Sequence, residues 1–146
     1  MAYAHCVAAV AFCVMYHGLG AMRRDLLSKI NNKNETRWNI PSTRWAKLDV
    51  DGSTNFNGIA ACGGLIRDDK GNWIKNFSKN LGYQPKIAAE HLGIMEGLNL
   101  CWNAKLTRVN VYSNFVEALS LIDCNFIDSH PLSAIITNIK NIIMQD

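Results

Sequence analysis

A mixed α/β domain with its elements in the order β-β-β-α-β-α-α is the fold class this chain predicts, and three observations predict it. Residues 44–83 carry three successive runs in which apolar and polar residues alternate, separated by short polar turns. Residues 86–103 change to helical spacing, and residues 107–113 alternate again. Alternation marks a half-buried strand, whereas apolar residues recurring once per helical turn mark an amphipathic helix. Three strands joined by short turns make an antiparallel meander, and a strand reached through a helix is set parallel to the first, so the sheet is mixed.

Each element can be read in order. "RWAKLDVDG" is the first strand, "STNFNG" a polar loop, and "IAACGGLIRDD" a second strand closed by the turn "DDKGN". "WIKNFSKNL" alternates along its length and is the third. "KIAAEHLGIMEGLNLCWN" places Ile87, Ile94, Leu98 and Cys101 along one helical side. "TRVNVYS" is the fourth strand and "NFVEALSLI" a short helix. After "HP", with Pro131 suited to a first helical turn, Leu132, Ile135, Ile136, Ile139, Ile142 and Ile143 form one helical face. Trp73, Phe77 and Trp102 are expected in the core.

Composition sets the class. At 146 residues, 49% hydrophobic and 18% charged, the chain is that of one globular domain. Its five cysteines are odd in number and hold no Cys-x-x-Cys pair, which argues against a zinc site or a disulfide framework and for a reducing, intracellular setting, nucleus or cytoplasm. The net charge is +3, but residues 1–47 carry seven Lys/Arg against two acids while residues 48–146 carry eight against ten. The basic excess therefore lies largely outside the folded part. Residues 1–22 are free of Asp, Glu, Lys and Arg and are long enough for a membrane anchor, yet they hold two histidines and lack the basic start of a secretory signal. A buried or partner-packed helix is the favoured reading there. Residues 23–43 read as a polar linker, so the chain divides into an apolar segment and linker over 1–43 and a domain over 44–146.

The chemistry turns on Asp51. As half of an Asp-Gly pair it is an ordinary turn residue. It also stands at the end of the first strand, while "YSN", residues 112–114, closes the fourth. On the intervening helix Glu90 shares a side with Gly93 and Gly97, whose small size lets the helix approach the sheet. Three polar groups from distant segments can then meet at one end of the sheet.

The stretches "RWNIPSTRWAKLDVDGS", "GGLIRDDKGNWIKNFSKNLG", "AAEHLGIMEGL" and "VNVYSNFVEAL" together resemble the ribonuclease H type 1 family, and more narrowly the ribonuclease H-like domains of plant retroelements. The resemblance covers about residues 37–146. It implies a ribonuclease H-like fold, two Mg²⁺ ions (or Mn²⁺) held by clustered carboxylates, and endonucleolytic hydrolysis of the RNA strand of RNA–DNA hybrids. It places metal-binding carboxylates on Asp51 and Glu90. It sets a third at Asn114, where this sequence has a neutral amide. The family's last strand and helix, with a fourth ligand, have no counterpart up to Asp146, so two of four carboxylates remain and an open sheet edge is expected, available to a protein partner. His130 is read as a loop or helix-entry residue. The loop residues Ser53, Asn55 and Asn57 are expected to face substrate phosphate.

The resemblance and the departures from it together imply a nucleic-acid-binding domain of ribonuclease H type whose hydrolysis is impaired or lost. The alternatives are a binding module without turnover and a retroelement-derived fragment that only packs against protein.

Overall fold

A computed structural model of the chain describes residues 10–15, 41, 43–124 and 128–144. Its strands are β1 (Val10–Met15), β2 (Ala46–Thr54), β3 (Ile59–Arg67), β4 (Trp73–Tyr83) and β5 (Arg108–Ser113). Its helices are α1 (Lys86–Asn103), α2 (Val116–Asp123) and α3 (Ser133–Ile143). From β2 onward the order is the one the sequence predicts.

The sheet runs β1-β5-β2-β3-β4. β2, β3 and β4 form the antiparallel meander, and β5 returns through α1 to lie parallel to β2, with Leu48 opposite Val111. The expected open edge beside β5 is corrected by β1, which pairs antiparallel with it from Val10↔Ser113 to Met15↔Arg108. The reading of residues 1–22 as a helix is corrected over Val10–Met15, and the rest of that stretch lies outside the described residues. "VAFCVM" is rich in Val and Phe, which suit a pleated, half-buried surface. Its partner lies almost a hundred residues away, so no local pattern announces the pairing. Most of the polar linker falls outside the described residues. Among the described residues no helix is long and apolar enough to cross a membrane.

The core lies between one face of the sheet and the helices. Ala46, Leu48 and Val50 of β2, Ile66 of β3, and Val109 and Val111 of β5 meet Ile94, Leu98 and Cys101 of α1 and Ile139, Ile142 and Ile143 of α3, all buried. Each large aliphatic side chain removed from water contributes about 2 kcal/mol, so this face accounts for most of the driving force. A smaller cluster joins Ala88 of α1 to Leu132 and Ile136. Phe77 and Trp102 pack against the main cluster as expected, but Trp73 is 67% exposed. Trp73 opens the edge strand, where the register with β3 shifts at Arg67.

Two glycines set how closely α1 approaches the sheet. A Cβ at Gly52 would lie 2.5 Å from the Glu90 backbone nitrogen, and one at Gly97 would lie 2.7 Å from Leu48 Cδ2. At Gly52 the backbone of the helix itself is in contact with the strand, so no side chain fits there. Gly93 extends the seam, its missing Cβ falling 3.2 Å from Cys62 Cβ and 3.6 Å from the Asp51 carbonyl oxygen.

Candidate active site

The end of β2, the second turn of α1 and the end of β5 converge around Glu90. A helix carboxylate is ordinarily solvated, but Glu90 is fully buried, because the Gly52 contact draws its turn of helix onto the strand. Ser113 Oγ donates to Glu90 Oε2 at 3.2 Å and accepts from the Phe115 N–H at 3.1 Å, which ties the carboxylate to the start of α2. Glu90 Oε1 is buried and has no hydrogen-bond partner among the described residues. Burial pushes the Glu90 pKa up; the Gly52 N–H opposes this, the Asp51 charge adds to it, and Ser113 and Lys86 oppose it. The Asp51 carboxylate therefore stands within electrostatic reach of Glu90.

Asp51 itself is exposed at the mouth of this seam, and so is Asn114, directly after Ser113. The structure thus places Asp51 within electrostatic reach of Glu90, and Asn114 directly after the serine that holds the Glu90 carboxylate. Asp49 is held elsewhere, in an ion pair with Lys47 at 3.2 Å, and Glu117 lies exposed in the first turn of α2. Among the described residues no group of three or more His, Cys, Asp or Glu is placed to hold a metal ion. An orphaned buried oxygen beside an exposed carboxylate fits one divalent cation.

The loop residues divide. Ser53 and Asn57 are exposed, whereas the Asn55 side-chain oxygen is used inside the turn, accepting from the N–H groups of Asn57 at 3.0 Å and Ile59 at 2.9 Å. What Asn55 can still offer a ligand is its amide NH₂. His130 serves helix entry: its Nδ1 accepts from the Leu132 N–H at 3.1 Å, and its carbonyl accepts from the Ser133 N–H.

A family model described as reverse transcriptase-like matches residues 49–146, about two thirds of the chain and all of the elements that build this site. The chain belongs to that family, and it is a ribonuclease H-like domain. It is 32% identical over 110 residues to a ribonuclease H-type protein of Arabidopsis thaliana, a match covering 75% of this chain and 18% of that protein. The chain therefore spans less than a fifth of the length of this relative. Among solved structures it is similar to the type 1 ribonuclease H of the halophilic archaeon Halobacterium salinarum, with TM-score 0.54, 15% identity, and coverage of 68% of this chain and 76% of that one. It is likewise similar to the LC11 type 1 ribonuclease H solved in complex with an RNA/DNA hybrid, with TM-score 0.54, 23% identity, and coverage of 66% and 75%. At these identities the structural likeness shows the fold.

Two contributors to this ribonuclease H-like site are not evident from the sequence. Ser113 lies inside "YSN" with nothing to mark its role, and its hydroxyl orients Glu90. His91, beside Glu90, is fully buried, with Nδ1 and Nε2 lying 2.8 and 2.9 Å from the carbonyl oxygens of Ile87 and Ala118. A singly protonated ring donates to one of these two carbonyls, and burial pushes its pKa down. Through this residue α2 is fixed to α1, and hence Ser113 to Glu90.

Proposed function

We propose that this ribonuclease H-like domain binds RNA–DNA hybrid across the end of the sheet bearing Asp51 and Glu90, and that its hydrolysis of the RNA strand is impaired. The observation carrying this reading is the pairing of a buried, half-unsatisfied Glu90 with an exposed Asp51, opposite an asparagine at position 114. Asp51 and Glu90 would hold a divalent cation, Mg²⁺ or Mn²⁺. Such an ion, when bound, supplies an activated water and neutralises charge on the leaving oxygen.

The chain's own residues do the rest. Ser113 and the Gly52 N–H orient the Glu90 carboxylate. Asp51 presents a second charge at the mouth, and Ser53, Asn57 and the Asn55 amide face the substrate backbone. Charge explains the impairment. At an effective dielectric near 20, two dications about 4 Å apart repel by roughly 16 kcal/mol, and each carboxylate at that distance returns roughly 8 kcal/mol per ion. With only two acids, the roughly 16 kcal/mol a second ion gains from them is cancelled by its repulsion from the first, whereas a third carboxylate would leave a net attraction. Binding without turnover is the second reading, and the neutral amide at position 114 favours it.

The test is cleavage of end-labelled RNA–DNA hybrid by the whole chain in Mn²⁺ and Mg²⁺, beside its Asn114→Asp variant. The variant should cut at least tenfold faster than the natural chain. Equal rates would remove charge as the cause of impairment, and brisk Mg²⁺-dependent cutting by the natural chain would overturn the impairment itself.

A further inference from the structure

The turn between β2 and β3 presents an aromatic ring that the fold does not use. Phe56 is 97% exposed. Its backbone is nevertheless closely held. Asn55 Oδ1 accepts two N–H groups, the Asn55 N–H donates to the Ile59 carbonyl, and the Gly58 N–H donates to the Asn55 carbonyl. Gly58 takes a φ of +81°, which favours glycine, and closes the turn. Two further bonds lash the turn to the segment entering α1: Thr54 Oγ1 donates to the Gln84 carbonyl at 3.0 Å, and the Gln84 N–H donates to the Gly58 carbonyl at 3.1 Å. The ring is thus offered on a rigid mount.

It has neighbours of the same character. Ile59, 41% exposed, stands opposite Tyr83, 78% exposed, in the sheet register. The Tyr83 ring leans on the turn, with Cδ1 3.5 Å from where a Gly58 Cβ would sit. Beside these three residues in the chain the polar groups are amides, Asn55, Asn57 and Gln84, and no acidic residue occurs in 52–67 or 70–89. A patch of three side chains falls well short of the roughly 800 Å² per partner that a stable protein interface buries. One or two flat rings beside amide donors match the face and edge of a nucleobase.

The patch is also continuous with the candidate site. Asp51, Ser53 and Asn55 are exposed at alternate positions leading from the acid pair to Phe56, a span on the order of 15 Å at the rise of a strand. At about 3.4 Å per nucleotide step that is four to five steps along a strand. We infer that Phe56 and Tyr83 form a stacking platform for an unpaired nucleobase, so that the domain favours a hybrid carrying a single-stranded extension over a blunt one. This rests on the nucleic-acid reading above and adds to it a preference for the junction between duplex and single strand.

The experiment measures anisotropy of a labelled blunt RNA–DNA hybrid, of the same hybrid with a six-nucleotide extension at either end, and of a free oligo-uridylate, at one salt concentration. The natural chain should bind one of the extended hybrids about tenfold more tightly than the blunt one. Phe56→Ala and Tyr83→Ala should erase that advantage while keeping blunt-hybrid affinity and melting temperature. Trp73→Ala, removing an exposed ring at the opposite end of β4, should change neither. An advantage that survives Phe56→Ala, or equal binding of blunt and extended hybrids by the natural chain, overturns the platform and leaves the hybrid-binding reading intact. If the blunt hybrid is not bound but oligo-uridylate is, and Phe56→Ala abolishes that binding, the platform stands and the hybrid reading falls. No binding to any of the three overturns both.

Discussion

On the β2–α1 side of the site, two acids sit at a seam so close that a single methyl group at Gly52 would strike helix backbone, whereas on the β5–α2 side the polar groups are a serine, an asparagine and a backbone amide. The first side is fixed by packing of main chain on main chain. The second is fixed by hydrogen bonds between small groups, and it carries no charge at position 114. Both sides still converge on Glu90. The glycine seam and the Ser113 and His91 contacts thus hold the shape of this site without relying on a charge at position 114.

Three substitutions would break or sharpen that contrast, and they differ in expected size. Gly52→Ala should be the most damaging, because the new Cβ meets Glu90 and Ala89 backbone that cannot rotate away. We expect a loss of about 3 kcal/mol or more in urea unfolding, with the helix displaced from the strand. A cost below about 1 kcal/mol would mean that the seam is not what positions Glu90.

Glu90→Gln should act in the opposite direction. Burial raises the folded-state pKa of this carboxyl above its unfolded value. Its contribution is then fully present below the unfolded pKa and is lost as pH rises through the folded one. Without divalent cation the variant should therefore be more stable than the natural chain by about 1 to 2 kcal/mol at pH 8, and the two should approach each other towards pH 4. Adding Mn²⁺ should stabilise only the natural chain. Parallel pH profiles for the two proteins would show that Glu90 is not strained by ionisation.

Ser113→Ala should have the smallest effect, about 1 kcal/mol, since it removes one hydrogen bond to the carboxylate and one to the Phe115 N–H. If it cost as much as Gly52→Ala, the two sides of the site would not differ in kind.

Much of this architecture is legible in the chain itself, for physical reasons that can be named. The meander and the return strand follow from alternation and helical spacing, which report local burial directly. Glu90 is legible because Gly93 and Gly97 lie on its side of the helix, and the structure shows what those glycines touch. Gly52 reads only as the last residue of the first strand, half of an Asp-Gly pair; its packing role depends on a helix more than thirty residues downstream. The β1 pairing is hidden for the same reason, as are the partners of His91, which are backbone carbonyls and leave no mark on composition. Trp73 shows the converse error. A large apolar residue in an alternating run reads as core, yet at the start of an edge strand, beside a break in register, it stays in water.

The central claim is that Asp51 and Glu90 hold one divalent cation and lack the charge for a second. Calorimetric titration of Mn²⁺ into the whole chain tests it most directly. The account predicts one ion per chain, lost in Glu90→Gln, with a second ion appearing in Asn114→Asp. Two ions bound by the natural chain, or none, would contradict it.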